Sequence, residues 1–83
     1  MNTQEAAELV KRALSEAAPG AELATLPPDA DIRDVLELDS LDFLNYVQLL
    51  SDFSGCRVEE DDYPTVSTLA GGASFLATRC GAG

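Results

Sequence analysis

Apolar residues fall into three helix-periodic stretches, separated by segments where proline, glycine and acidic residues break the period. Over residues 3–18, Ala6, Leu9, Val10, Ala13, Leu14 and Ala17 share one face, and Glu5, Glu8, Lys11, Arg12, Ser15 and Glu16 take the others. Thr3 can cap this helix, and Pro19-Gly20 stops it. Over residues 41–53, Phe43, Tyr46, Val47, Leu50 and Phe53 make a continuous inner stripe, with Leu41, Leu44 and Gln48 on a neighbouring face. Asp39 or Ser40 supplies the short side-chain oxygen that a first turn needs, Asp42 sits where the helix dipole favours an acid, and Gly55 ends the helix. Over residues 67–78, Leu69, Ala73 and Leu76 continue one face begun at Val66, with Thr65 or Ser67 as cap. Gly71 and Gly72 interrupt that helix at about 1 kcal/mol each relative to alanine. Flanked by Ala70 and Ala73, they leave room for a cavity or permit close helix packing.

The intervening segments are irregular. Residues 21–39 form a long connection, with Leu23, Leu26, Ile32, Val35 and Leu36 as anchors to the core and one helical turn expected near residues 32–36. Pro27-Pro28 forbids regular helix there, because proline lacks the N–H and restricts the residue before it. Residues 57–63 carry Glu59-Glu60-Asp61-Asp62, whose mutual repulsion allows a short turn or half-helix, closed by Pro64. The pattern predicts an all-α fold, a small bundle of three amphipathic helices with a weak fourth segment and a long first loop. At 83 residues the chain holds one domain over residues 1–83, with a packed part near 3–78 and a frayed tail at 79–83. A chain of this size buries only roughly 60–65 % of its unfolded surface, so little room remains for a walled catalytic cleft.

Charge sharpens the picture. Fifteen acids face five bases, for a formal net charge of -10, and between Asp29 and Asp62 eleven acids meet only Arg33 and Arg57. One side of the domain should carry a strong negative field that repels nucleic acid and anionic lipid and steers basic proteins in; the same acids also keep a small domain soluble. Histidine is absent, which removes His-based triads, His general bases and most transition-metal sites. Cys56 and Cys80 lack zinc-like spacing. Residues 1–5 lack the basic and apolar regions of a secretion signal, and no apolar stretch reaches transmembrane length. The expectation is a cytoplasmic monomer, without membrane insertion, with both thiols reduced; a disulfide is expected only in an oxidising compartment.

The remaining chemistry concentrates at Asp39-Ser40-Leu41-Asp42, immediately before the second helical stripe. A serine at a helix start presents an exposed hydroxyl beside free backbone N–H groups and the positive dipole end, a setting that tolerates a phosphate. Together with the first helix, the long loop, the short acidic segment and Pro64-Thr65-Val66 before the last helix, this motif resembles that of the acyl carrier proteins over nearly the whole chain. The resemblance implies a four-helix bundle with a minor third helix. It also implies that Ser40 carries 4'-phosphopantetheine derived from coenzyme A, with Asp39 and Leu41 as flanking motif residues. It further implies a docking face at Asp42, Leu41, Leu44 and Gln48. The implied partners are a phosphopantetheinyl transferase and acyl-loading ligases or synthases with basic surfaces, and the implied role is carriage of an acyl thioester, without catalysis. Asn45, Gln48 and Ser51 stand where typical fatty-acid carriers have glutamates, which implies a different set of partners.

Other functions fit less well. Ser40 as a hydrolase nucleophile lacks both a Gly-x-Ser-x-Gly elbow and a histidine. Asp29, Asp31 and Asp34 fail the calcium-loop template, because Arg33 takes its fifth position and Asp34 the sixth, where glycine is needed. Peptidyl carriers use the same fold and serine but typically show glycines before it, and Leu36-Glu37-Leu38 has none. An unmodified acidic helical module that binds a basic partner is the alternative from a different class, with Ser40 as an ordinary helix-capping residue.

Overall fold

The computed structural model describes residues 2–80. Its helices are α1 (Thr3–Ala17), α2 (Ile32–Val35), α3 (Ser40–Ser54) and α4 (Leu69–Arg79), with 3-10 turns at Glu60–Asp62 and Thr65–Ser67. Helix α1 is the hub and packs against both α3 and α4. Its small and medium apolar face (Ala6, Val10, Ala13, Leu14) meets Phe43, Tyr46, Val47 and Leu50 of α3 and Leu69, Ala73, Phe75 and Leu76 of α4, all of them buried. Among the described residues no strand forms, and none of the helices is long and apolar enough to cross a membrane.

Each helix begins on a side-chain acceptor, a contact that stabilises a helix end by about 1 kcal/mol. The expected cap of α1 at Thr3 moves one residue back: Asn2 Oδ1 accepts from the Glu5 amide at 2.8 Å. The cap of α4 is neither Thr65 nor Ser67 but Thr68, whose hydroxyl accepts from the Gly71 amide at 2.9 Å. The reason lies in Val66, which is fully buried and draws Thr65–Ser67 into a separate 3-10 turn before the helix can start.

The glycine pair resolves in favour of close packing. A Cβ on Gly72 would stand 3.1 Å from Val10 Cγ2 and 3.3 Å from the Tyr46 hydroxyl, so glycine lets α4 close upon α1 and α3. A Cβ on Gly71 would run into the Thr65 carbonyl. Tyr46 is fully buried beneath this contact and donates its hydroxyl to the Val66 carbonyl at 2.9 Å. Burial pushes the phenol pKa up, because the charged form would lose its water.

The long connection is tied to the start of α4. The Ala70 amide donates to the Pro28 carbonyl at 2.8 Å, and Asp31 forms an isolated antiparallel bridge with Thr68. Leu26 and Ile32 are buried, while Leu23 and Leu36 pack partly against the core. Val35, expected as an anchor, is instead 48 % exposed: the short helix α2 turns one side inward, and Ile32 occupies it.

The structure departs from expectation most clearly at the cysteines. Cys56 and Cys80 are joined in a disulfide, with Cα atoms 5.8 Å apart and a sequence separation of 24. Gly55 adopts the left-handed conformation (φ 71°) after α3, and the Cys56 amide donates to the Ser54 hydroxyl at 3.2 Å; together they turn the chain back toward the end of α4. Of the tail expected to fray over residues 79–83, Arg79 belongs to α4 and Cys80 is covalently held; residues 81–83 lie outside the described residues. Two of the four acids in the segment 59–62 are paired. Asp62 accepts from the Glu59 amide at 3.0 Å and faces Arg79 at 3.5 Å, and Glu59 faces Arg57 at 3.2 Å.

Candidate functional site

Ser40 owes its position to the turn between α2 and α3. Helix α2 closes with Leu36, then Glu37 takes a left-handed conformation (φ 54°), and the Leu38 amide donates back to the Arg33 carbonyl at 3.0 Å. This is the geometry of a Schellman cap, with Glu37 where glycine is usual. It swings Leu38 into the core, where it is buried, and leaves Asp39 and Ser40 facing solvent.

Asp39 is extended and caps α3, its Oδ1 accepting from the Asp42 amide at 2.8 Å. Ser40 is the first residue of the helix and is exposed. Capping therefore falls to Asp39, and among the described residues no hydrogen bond of the fold uses the Ser40 hydroxyl. Asp42 lies in the first turn and is half-buried. The hydroxyl thus stands between two carboxylates in sequence, at a helix end whose dipole offsets part of their charge.

The outer face of α3 beyond Ser40 is apolar at its centre. Leu41 is 76 % exposed and Leu44 48 % exposed. With Asp42, Asn45 and Gln48 they line one shallow depression. The structure brings Ser40, Leu41, Asp42, Leu44 and Gln48 onto one end and one side of a single helix. Glu59, Glu60 and Asp61 are exposed on the segment that follows α3.

A smaller recess of about 180 Å³ opens directly at Ser40, walled by Arg33, Phe43, Leu44 and Tyr63. Arg33 lies over the Phe43 ring, 5.0 Å from its centre, and Phe43 meets Tyr63 edge-on at 5.5 Å. The helical period places Phe43 in the core, which its burial matches, whereas nothing in the pattern around Arg33 or Tyr63 marks either as part of a site. Periodicity holds no signal for this cluster, because its members come from α2, α3 and the turn before Pro64. The sequence does hold one hint: Arg33 and Arg57 are the only bases between Asp29 and Asp62.

No protein-family model matches the sequence, and no curated protein matches it. Among solved structures the chain is similar to an acyl carrier protein from Enterococcus faecalis, with a TM-score of 0.73 and 17 % identity over 95 % of this chain and 99 % of that one. At that identity the likeness is one of fold: the chain has the acyl-carrier-protein fold, complete from α1 to α4.

Proposed function

We propose that the protein is a carrier that holds an acyl group as a thioester on a 4'-phosphopantetheine arm esterified to Ser40. The observation that supports this most directly is an exposed serine, free of any capping duty, at the first position of α3 in an acyl-carrier-type bundle. The residues fit such a substituent. Replacing the hydroxyl hydrogen of Ser40 by a phosphoester breaks no hydrogen bond of the fold, and the adjoining recess carries a guanidinium. When bound, the arm supplies the thiol that carries the acyl group.

The chain's own residues do the rest. Asp39 fixes the start of α3 and so the direction in which Ser40 points. Leu41, Leu44 and Gln48 offer a partly apolar docking surface, and Asp42 adds charge at its rim. The acidic stretch from Asp29 to Asp62 attracts basic partner surfaces, first the phosphopantetheinyl transferase and then acyl-loading ligases or synthases. Tethering raises the effective concentration of cargo at each partner's site without a catalytic group in the carrier. An aminoacyl or peptidyl cargo would use the same fold and the same serine.

Incubation with a promiscuous phosphopantetheinyl transferase and coenzyme A, followed by intact-mass measurement, tests the proposal. The expected result is a mass gain of one phosphopantetheine that disappears in Ser40→Ala. No gain would favour the unmodified interaction module, in which charge reversal at Asp39 or Asp42 matters and Ser40 does not; an equal gain in Ser40→Ala would rule out Ser40 as the attachment point.

A further inference from the structure

Arg33 stands apart from the other arginines. Arg12 faces Glu16, Arg57 faces Glu59 and Arg79 faces Asp62, each within ion-pair distance. Among the described residues no carboxylate lies that close to Arg33, although Asp31 and Asp34 are its near neighbours in sequence. Asp31 instead spends its carboxylate on the Arg33 backbone amide at 2.9 Å, as the cap of α2. The guanidinium is held over the Phe43 ring, and Phe43 is braced by Tyr63. These three side chains, Leu44 and Ser40 wall one recess.

That recess combines an apolar wall with a cation that, among the described residues, has no carboxylate within ion-pair distance, and it opens at the hydroxyl proposed for modification. A phosphodiester on Ser40 adds a negative charge to a chain already at -10. Guanidinium is the side chain best matched to such a group, since its planar fork donates two parallel hydrogen bonds to phosphate oxygens. The carbons that follow the phosphate in the arm carry a geminal dimethyl group, suited to contact with Phe43 and Leu44.

Building on Ser40 as the attachment site, we infer that Arg33 is a binding residue for the phosphodiester and that Phe43, Leu44 and Tyr63 seat the first carbons of the arm. The root of the arm is then held against the protein while its thiol end stays mobile. Arg33 acts here as a positioning residue and takes no part in the chemistry of the cargo.

The test uses the full chain loaded from coenzyme A, as wild type, Arg33→Gln and Arg33→Lys, with loading verified by intact mass. Phosphorus NMR and isotope-filtered proton cross-peaks are then recorded. In the loaded wild type, cross-peaks should connect the dimethyl protons of the arm to Phe43 and Leu44, and the phosphorus resonance should differ from that of the same loaded chain in urea. Arg33→Gln should lose those cross-peaks and move the phosphorus resonance to the urea position. Arg33→Lys, with the charge but not the fork, should fall between. A loaded wild type with no such cross-peaks and the urea phosphorus position would overturn the assignment of Arg33 while leaving the carrier function intact. The wild-type spectra decide alone if a variant fails to fold or to load. No mass gain in the wild type would remove the carrier function itself.

Discussion

The two ends of α3 are built by different means. At its first turn, order comes from local backbone devices: the Schellman-type turn at Glu37 and the Asp39 cap, with Ser40, Leu41 and Leu44 left open to solvent. At its last turn, order comes from cross-connections. Ser51 donates to the Val47 carbonyl at 3.1 Å and accepts from the Val58 amide at 3.1 Å; Ser54 receives the Cys56 amide; and the Cys56–Cys80 disulfide and the Arg79–Asp62 pair tie this region to α4. A domain of this size has a modest core, so such fasteners add appreciably to its stability. The fold places its covalent and long-range fasteners away from Ser40 and keeps the Ser40 end accessible.

That contrast predicts a separation of effects. The largest concerns the open end: Ser40→Ala should abolish the mass gain from coenzyme A completely, while its unfolding free energy stays within about 0.5 kcal/mol of wild type, as for surface substitutions generally. A large loss of stability in Ser40→Ala would mean that this end is structural after all.

At the fastened end the expectation reverses. Reduction of the disulfide, or the double change Cys56→Ser and Cys80→Ser, should cost about 3 kcal/mol by releasing a loop of this length in the unfolded chain. Thermal melts with and without reductant should differ by roughly 12–24 °C, given about 4–8 °C per kcal/mol in a domain of this size. Loading at Ser40, measured at a temperature where both forms remain folded, should be unchanged.

Tyr46 sits beneath both ends and should give an intermediate effect. Tyr46→Phe leaves the buried Val66 carbonyl without its donor, at a cost of about 1–3 kcal/mol in a denaturant titration. It should also alter the pH dependence. The folded state holds the phenol proton more tightly than the unfolded chain, whose tyrosine titrates near about 10. The contribution of Tyr46 is therefore fully present below about pH 10 and falls by about 1.4 kcal/mol per pH unit above it. In Tyr46→Phe that alkaline decline should be shallower.

The smallest effect belongs to the turn that aims Ser40. Glu37 occupies a left-handed position that side chains other than glycine enter at a cost of about 1–2 kcal/mol. Glu37→Gly relieves that cost but adds freedom to the unfolded chain, worth about 0.4–1 kcal/mol. The net should be a gain of between zero and about 1.6 kcal/mol, read as a raised denaturant midpoint with an unchanged loading rate.

The helices themselves were legible before any coordinates. The spacing of Val10, Ala13 and Leu14, of Phe43, Tyr46, Val47 and Leu50, and of Leu69, Ala73 and Leu76 dictates which faces must be hidden, because an amphipathic helix has only one way to bury its apolar side. The first turn of α3 was legible for the same reason: short oxygen-bearing side chains followed by an apolar stripe are what a helix start requires. The caps lie a residue or more from the expected positions, at Asn2 and at Thr68, and at Thr68 it is burial of Val66 that outweighs local preference.

Tertiary structure alone decided what no periodicity encodes. It paired Cys56 with Cys80, turned Val35 outward, gave Gly72 to helix contact, and gathered Arg33, Phe43 and Tyr63 at the mouth beside Ser40. Sequence fixes the identity of each helical face through local geometry that repeats every few residues. Neighbours from distant parts of the chain depend instead on how those faces dock, and docking is a property of the whole packed core.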